Sequence, residues 1–534
     1  MHRNRSAQTH HFSMTPRADV PRSSFSIQKT HKTTFDSGQL IPFYVDEILP
    51  GDSFNMKATM FARLATPIAP IMDNLYLDTF FFFVPNRLVW NNWQKFMGEQ
   101  EKPGDSISYI VPEITSPVGG YDPLTIFDYM GLPTKGQVDP TKSVTHSCMW
   151  LRAYNLIFNE WFRDENLVLP SNIDKGDGPD SLAGYQLRRR GKRHDYFTSC
   201  LPFTQKGTAV TIPLGTTAPI FLQPGANPGG SYWRKSSDGT TTAAGPVTGT
   251  ANGEVQVNGV PAVWNPQGTL FADLSQASAA TINQLRTSFQ IQKLLERDAR
   301  GGTRYAEIIR SHFGVISPDA RLQRPEYLGG GTTPIVINPI AQTSATDQAG
   351  ATTPLGNLAA MGTGLASGHG FNQAFTEHGM IIGLCSVRAD LSYQQGLRRM
   401  WSRKTRYDFY FPAFSHLGEQ SVLNKEIYCR GDDQDDVVFG YQERWSEYRY
   451  NPSNITGLFR STTTGTIDLW HLAQRFTTLP TLNGTFIVDT PPLERVLAVG
   501  PAALGQQIIM DSFFDIKAAR PLPAYGVPGL IDHF

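Results

Sequence analysis

The most regular pattern in this sequence is an alternation of apolar and polar residues. From Phe54 to Leu64 every second residue is apolar and mostly polar residues lie between them. A period of two is typical of a half-buried β-strand. Segments 381–393 and 508–518 alternate in a similar way. The pattern therefore predicts a few long strands that are widely separated along the chain and connected by long insertions.

A strand predicted over Leu75–Val84 is apolar on both faces toward its end. A strand of this kind is covered on both sides. We expect the core to cover one face and either a loop or a neighbouring subunit to cover the other. The candidates for an inter-subunit contact are six aromatic residues in and after this strand: Phe80, Phe81, Phe82, Phe83, Trp90 and Trp93.

Helices and loops are predicted inside the insertions. Apolar residues at a spacing of three to four indicate a buried helix over 148–165. A second helix is predicted over 279–300, ended by two glycines and carrying apolar stripes on opposite sides. Residues 224–268 and 329–370 are rich in Gly, Thr and Ala, which indicates long loops.

The composition favours a β-rich protein with structured loops. The chain has 534 residues, of which 18% are charged, and it contains 48 Gly and 37 Pro. Charged residues usually make up about a quarter of a soluble protein, so part of this surface need not face water. No apolar stretch approaches the 18 residues of a membrane span, and the N-terminus lacks the apolar region of a secretion signal. We expect a soluble protein without membrane insertion.

The formal net charge is zero, with 47 basic and 47 acidic residues, which argues against a generally basic nucleic-acid binder. Residues 1–34 are the exception, because they contain a single acid and are too polar to fold alone. They predict a basic arm that contacts nucleic acid through six cations: Arg3, Arg5, Arg17, Arg22, Lys29 and Lys32.

The densest positive segment lies at residues 188–194 and is called the basic run below. Its cations are Arg188, Arg189, Arg190, Lys192 and Arg193. Arginine offers planar bidentate donors for phosphate. The other interpretation is an inter-subunit ion-pair cluster that meets acids such as Asp164, Glu165 and Asp195. A charge run alone does not separate these two interpretations.

Sequence motifs for catalysis or cofactor binding were not found, and we expect no cofactor and no enzymatic activity. The four cysteines lie far apart, which argues against a disulfide framework or a zinc site. One acidic cluster could hold Ca²⁺ through oxygen ligands, although a solvated turn is the favoured interpretation. Its members are Asp432, Asp433, Asp435 and Asp436.

Six segments carry a resemblance to a known family. They are IPFYVDEILPGD at 41–52, FARLATP at 61–67, DTFFFFVPNR at 78–87, RRGKRHDYFTS at 189–199, KLLERDARGGTRY at 293–305 and VPGLIDHF at 527–534. These segments resemble the major capsid proteins of gokushoviruses, which are single-stranded DNA phages of the Microviridae. The resemblance extends from about residue 25 to the end, but it lapses in 224–268 and weakens in 340–370.

The resemblance implies a mainly β fold, an eight-stranded antiparallel jelly roll of the viral capsid type with long loop insertions containing several helices. Its parts would be an arm at 1–34, jelly-roll segments at 35–223 and 269–534, and a variable surface protrusion at 224–268. The implied function is a structural subunit of a T=1 icosahedral capsid that encloses circular single-stranded DNA. The implied partners are further copies of the chain, a small basic DNA-binding protein, a scaffolding protein and a pilot protein.

The protrusion is the expected site of host attachment, in a virion that is assembled in the bacterial host cytoplasm. Tyr232, Trp233 and Trp264 could contact a host surface receptor. They could equally pack the loop together. Two other functional classes are weighed: a stand-alone carbohydrate-binding jelly-roll module, and a metal-dependent hydrolase using an aspartate cluster. The long insertions argue against the first, and the lack of nearby His or Glu ligands argues against the second.

Overall fold

The computed structural model describes residues 21–211, 220–222, 233–235, 237, 246–264, 270–272, 282–341, 343, 356, 358–498 and 506–525. The chain divides into two compact units. Residues 205–300 form the smaller unit, and the larger unit combines Met1–Thr204 with Gly301–Phe534.

Eight long antiparallel strands form the centre of the larger unit. They are β1 (Ser23–Phe35), β2 (Ile41–Ile48), β3 (Ser53–Leu64), β4 (Leu75–Pro85), β5 (Glu326–Ala341), β6 (Leu358–Ala374), β7 (Gly379–Ala389) and β8 (Ile508–Arg520). They hydrogen bond in the order β1-β8-β3-β6-β5-β4-β7-β2. This is the order of two four-stranded jelly-roll sheets that are continuous through the β6–β5 pair. The predicted fold class is confirmed.

The inner faces of the two sheets enclose the main hydrophobic core. In β3 each second side chain, from Phe54 to Leu64, is buried, as the alternation predicts. Phe43 of β2 lies between the two sheets, with its ring centroid 5.6 Å from those of both Phe81 and Phe514. Each fully buried Phe of this kind contributes roughly 1.5–3 kcal/mol through the hydrophobic effect.

The outer face of β4 is covered by the insertion between β4 and β5. Phe82 and Val84 point into a second core that contains Trp90 and Tyr154. A buried ion pair joins parts of this insertion, because Arg152 binds both carboxylate oxygens of Asp180 at 2.5 and 2.8 Å. The apolar second face of β4 is therefore explained within one chain.

Two predicted boundaries are wrong. The predicted arm overlaps β1, which pairs with β8 from Ser23↔Arg520 to Phe35↔Ile508. In β1 only Phe35 is buried, so the strand has no apolar alternation to reveal it. The predicted loop at 329–370 contains most of β5 and β6. Its glycines allow close packing of strands, since a Cβ atom at Gly330 would collide with the carbonyl group of Thr79.

The insertions carry short elements in addition to the barrel. The helices are α1 (Trp93–Phe96), α2 (Ile126–Tyr129), α3 (Met149–Ile157), α4 (Ile282–Gly301), α5 (Tyr305–Phe313), α6 (Asp319–Leu322), α7 (Asn424–Ile427) and α8 (Gly484–Ile487). Short strands pair as Glu113–Thr115 with Thr145–Ser147, and Glu419–Leu423 with Val438–Glu443. The helix predicted over 148–165 continues from α3 into a π-helical turn at Phe158–Phe162. Within the described ranges, none of the helices has the length and apolar character needed to cross a bilayer.

The smaller unit contains short antiparallel strands and most of α4. Val247–Gly249, Val255–Val257, Val260–Trp264 and Trp233–Lys235 form a four-stranded sheet, and Ile220–Leu222 pairs with Leu270–Ala272. The helix predicted over 279–300 is confirmed as α4. Both apolar stripes of this helix have exposed side chains, namely Ile282 and Phe289 in one stripe and Leu294 in the other.

Candidate functional surfaces

The basic run (residues 188–194) lies against the outer face of β4 and β7. Asp78 of β4 accepts hydrogen bonds from Arg190 at 2.5 Å, from Arg388 of β7 at 3.1 Å and, through its second oxygen, from Thr332 at 2.7 Å. Arg190 also lies over the Phe80 ring, 4.6 Å from its centroid. The segment is therefore fastened to the barrel by a largely buried carboxylate.

The protonation equilibria of this group reflect burial and close charges. Burial alone would raise the pKa of the Asp78 carboxyl, but the Thr332 hydrogen bond and the two arginines hold that pKa below its ordinary value. Burial, together with the like charge of Arg388, lowers the pKa of Arg190 to about 10 despite the attraction of Asp78. Both side chains are charged at neutral pH.

The other cations of the basic run also have partners inside the chain. Lys192 is buried with its ammonium over the Phe486 ring, and Arg193 pairs with Asp390 at 3.1 Å. Arg189 donates to the Ser37 carbonyl oxygen, and Arg188 lies over the Phe158 ring. Arg190 and Arg193 pair with Asp78 and Asp390 of the same chain, and not with the acids that were expected. Contact of the basic run with DNA or with a neighbouring subunit stays a prediction.

The aromatic residues predicted at an inter-subunit contact are mostly internal. Phe81 and Phe83 point into the barrel core, whereas Phe82 and Trp90 lie in the second core. Their side chains leave almost no surface for a neighbouring subunit, so the prediction is wrong for these four residues. Phe80 and Trp93 are partly exposed, and a contact through these two stays a prediction.

The cations predicted for the arm fall into two groups. Arg3, Arg5 and Arg17 lie outside the described residues. Arg22 immediately precedes β1 and donates to the Ser53 hydroxyl at 2.5 Å. Lys29 and Lys32 belong to β1, where Lys29 lies 5.3 Å from the Tyr44 ring centroid and Lys32 pairs with Asp511 at 3.3 Å. The part of the arm that precedes the barrel therefore ends at Arg22.

The aspartates predicted as weak calcium ligands form a capped turn, called the acidic turn (residues 432–436) below. Asp435 is buried and accepts the amide hydrogens of Arg430 and Gly431, both at 2.8 Å, which lower its pKa. Asp432 caps the turn by accepting from the Gln434 amide, and Asp436 pairs with Lys425 at 2.5 Å. These carboxylates point to different partners. Within the part of the chain that the structure describes, no cluster of three or more potential ligands is arranged for a metal ion.

The residues predicted for receptor contact lie in the smaller unit. Trp233 and Trp264 are opposite each other in its four-stranded sheet, in the pair of strands Trp233–Lys235 and Val260–Trp264. Tyr232 lies outside the described residues. A role in receptor binding stays a prediction for all three.

One exposed surface was missed by the sequence reasoning. It lies in the insertion between β7 and β8, is formed by residues 400–411 and 445–450, and is called the aromatic platform below. Its exposed members are Met400, Trp401, Tyr407, Phe409, Tyr410, Phe411, Tyr448 and Tyr450. The dense mixture of arginine and aromatic residues at 398–411 is the signal that could have found it, since both types are enriched at protein interfaces.

The chain is similar to known proteins along most of its length. The sequence model of the family described as Capsid protein (F protein) matches residues 13–530. The chain is 48% identical over 536 residues to Capsid protein VP1 of Bdellovibrio phage phiMH2K, and 42% identical over 596 residues to Capsid protein VP1 of Chlamydia phage 1. It is 36% identical over 553 residues to Capsid protein VP1 of Spiroplasma virus 4. Each alignment covers 98% of this chain and 98% of the relative.

Proposed function

The chain belongs to the phage capsid family described as Capsid protein (F protein), and from this premise we propose that it forms a T=1 icosahedral shell around a circular single-stranded DNA genome. It is a structural subunit of a virion and not an enzyme, which removes the hydrolase alternative and the stand-alone carbohydrate-binding module. The resemblance to Microviridae capsid proteins is confirmed. The observation that carries the proposal is the family match over 13–530 in a chain with jelly-roll strand order.

Genome contact is proposed for the segment that precedes β1, with Arg3, Arg5, Arg17 and Arg22 near phosphates. Lys29 and Lys32 extend the same positive segment onto β1. A subunit with 47 basic and 47 acidic residues does not neutralise a genome by itself. A small basic DNA-binding protein therefore supplies further cations, and scaffolding and pilot proteins complete the particle that is assembled in the host cytoplasm.

Host attachment is proposed for residues 224–268 through Tyr232, Trp233 and Trp264. Support comes from the change of composition in this segment and from the short, antiparallel strands of its described part. A small sheet that belongs to a compact unit of its own can change without disturbing the barrel core. The alternative remains that the aromatic residues only pack this unit together.

The shell is tested by expressing the chain with its partner proteins and examining the product by sedimentation and electron microscopy. We expect closed particles with T=1 symmetry that protect DNA from nuclease. Monomers that persist at high concentration, with all partners present, would contradict the proposal.

Genome contact is tested by replacing Arg3, Arg5 and Arg17 with glutamine and measuring single-stranded DNA binding against salt. In a plot of the logarithm of the binding constant against the logarithm of the salt concentration, each phosphate contact contributes about 0.7 to the magnitude of the slope. The slope of the triple variant should therefore be smaller by about 2. A variant with Lys142→Glu, in a loop of the β4–β5 insertion, is the control for general charge.

Host attachment is tested by replacing 224–268 with a Gly-Ser linker. The replacement should leave assembly intact and weaken adsorption to host cells.

A further inference from the structure

The aromatic platform is unusually exposed for a surface that would stay in water. Trp401 and Tyr407 are each 70% exposed, and Tyr448 and Tyr450 are more than half exposed. Large contiguous apolar surfaces on soluble proteins mark interaction sites. Tyr, Trp and Arg are also the residue types that dominate binding energy at protein interfaces.

Contacts between the rings hold the platform in place before any partner binds. The buried Trp445 joins its two segments, with ring centroids 5.6 Å from Tyr410 and 6.2 Å from Tyr448. Arg403 lies over Tyr448 at 4.6 Å and over Phe409 at 5.5 Å. Side chains that are already ordered lose little entropy on binding.

A pocket of about 310 Å³ opens beside the platform and is called the arginine pocket below. Four arginines and two glutamates line it: Arg398, Arg399, Arg403, Arg449, Glu426 and Glu447. Arg449 pairs with Glu443, which lies outside the lining. Arg399 pairs with Glu426 at 3.1 Å and Arg403 pairs with Glu447 at 3.2 Å. Arg398 donates to the Asn451 side chain and, among the described residues, meets no carboxylate. It is the cation of the pocket that is available to a partner.

The acidic turn carries charge of the opposite sign to that of the available arginine in the pocket. Among the described residues, the cations that pair with its four aspartates are Lys425, which binds Asp436, and Arg430, which binds Asp432. Asp433 is exposed and, within the described part of the chain, contacts no cation. Val437 and Val438, immediately after the turn, are also exposed. The turn therefore presents one unpaired acid beside two apolar side chains.

We propose that the acidic turn of one copy of this chain docks into the arginine pocket of the next copy, with Asp433 pairing with Arg398 and the two valines packing on the platform. The proposal rests on the proposed function, since it names an interface that a shell of identical subunits requires. A contact between two different surfaces of identical subunits is head-to-tail, and in a shell with closed symmetry it repeats as a ring around a rotation axis. Such an interface repeats one charge pair at every subunit of the ring.

Charge reversal with rescue tests the pair. In Arg398→Glu a glutamate would face Asp433 of the neighbour, and in Asp433→Lys a lysine would face Arg398. Like charges across an interface repel each other, so each single variant should lower the yield of shells at least about tenfold, which corresponds to about 1.4 kcal/mol. The double variant restores an opposite pair, and its yield should return to within about threefold of the original chain.

Matched controls separate this proposal from misfolding and from failure of shell formation itself. Lys142→Glu and Glu99→Lys reverse exposed charges elsewhere and should leave yield unchanged. The unassembled variants should melt at the temperature of the original subunit. If the original chain forms shells and both single variants do so equally well, the proposed interface is wrong while the proposed function stands. If a variant forms normal shells that contain less DNA, the pocket binds the genome and the proposal is also overturned.

Discussion

Replacing Asp78 by asparagine should loosen the basic run from the barrel. Asparagine keeps the volume and an oxygen acceptor for Thr332 but removes the charge that Arg190 and Arg388 share. Breaking a buried ion pair on one side costs about 3–5 kcal/mol, because the remaining charges stay buried without a partner. Asp489 is buried near both arginines and keeps part of the attraction. We therefore expect the free energy that holds this segment to the barrel to decrease by about 3 kcal/mol, near the lower end of that range.

Hydrogen exchange of the unassembled subunit is the direct measurement. The amide of Arg190 donates to the Gly38 carbonyl and that of Lys192 to the Ile487 carbonyl, at 2.7 and 2.8 Å, so both amides report on this segment. A loss of about 3 kcal/mol corresponds to exchange that is about 100-fold faster. Arg193→Gln, which breaks the more exposed pair with Asp390, is the control and should cost at most about 1 kcal/mol.

Two results would refute this reasoning. Unchanged exchange at Arg190 and Lys192 in the Asp78→Asn variant would mean that the carboxylate does not fasten the segment. Unchanged stability with a reduced DNA content of the particles would mean that the basic run is free to hold phosphates.

Three further outcomes follow from the structure. Burial lowers the pKa of His369 in the barrel, so the unfolded chain takes up the proton first and the stability of the subunit should fall as pH decreases below about 6.5. His369→Gln should therefore reduce the difference in melting temperature between about pH 7.5 and about pH 5, and an unchanged difference would contradict this role. Deleting residues 2–20 should leave the melting temperature of the subunit unchanged, whereas deleting 2–35 removes β1 and should produce aggregates visible by light scattering. Phe82→Ala should cost about 3–5 kcal/mol in urea unfolding of the unassembled subunit, and a normal subunit that only fails to assemble would restore the inter-subunit interpretation.

The sequence predicts strands where burial alternates and misses them where it does not. The pattern of β3 is visible because one face is buried and the other is exposed. β1 has no such alternation, because the strand is held in the sheet by main-chain pairing with β8 and not by burial of its side chains. Several positions of β5 and β6 are glycine because neighbouring atoms fill the space of a side chain: a Cβ atom at Gly330 or Gly370 would collide with a main-chain carbonyl, and one at Gly362 with the Leu64 side chain.

The functional surfaces were harder to predict, because the type of a residue does not determine which residues surround it in the fold. Phe82 and Phe409 read alike in the sequence, yet the first is buried and the second is exposed. The charges of the basic run read as free cations because Asp78, which neutralises Arg190, lies in a distant strand. Only the fold brings such partners together. The family resemblance predicted the function, because it compares whole segments and not single positions.

The position of β8 between β1 and β3 sets the order of events during synthesis. β1 is made before the other seven barrel strands, and β8 (Ile508–Arg520), its partner along the whole strand, is made after them. Until then β1 has no partner strand and β3 has one open edge, a state that is slow to resolve and prone to aggregation. A chain that is truncated before β8 cannot close its barrel. Synthesis must therefore have passed β8 before a subunit is competent to join a particle, which keeps chains without this strand out of the shell.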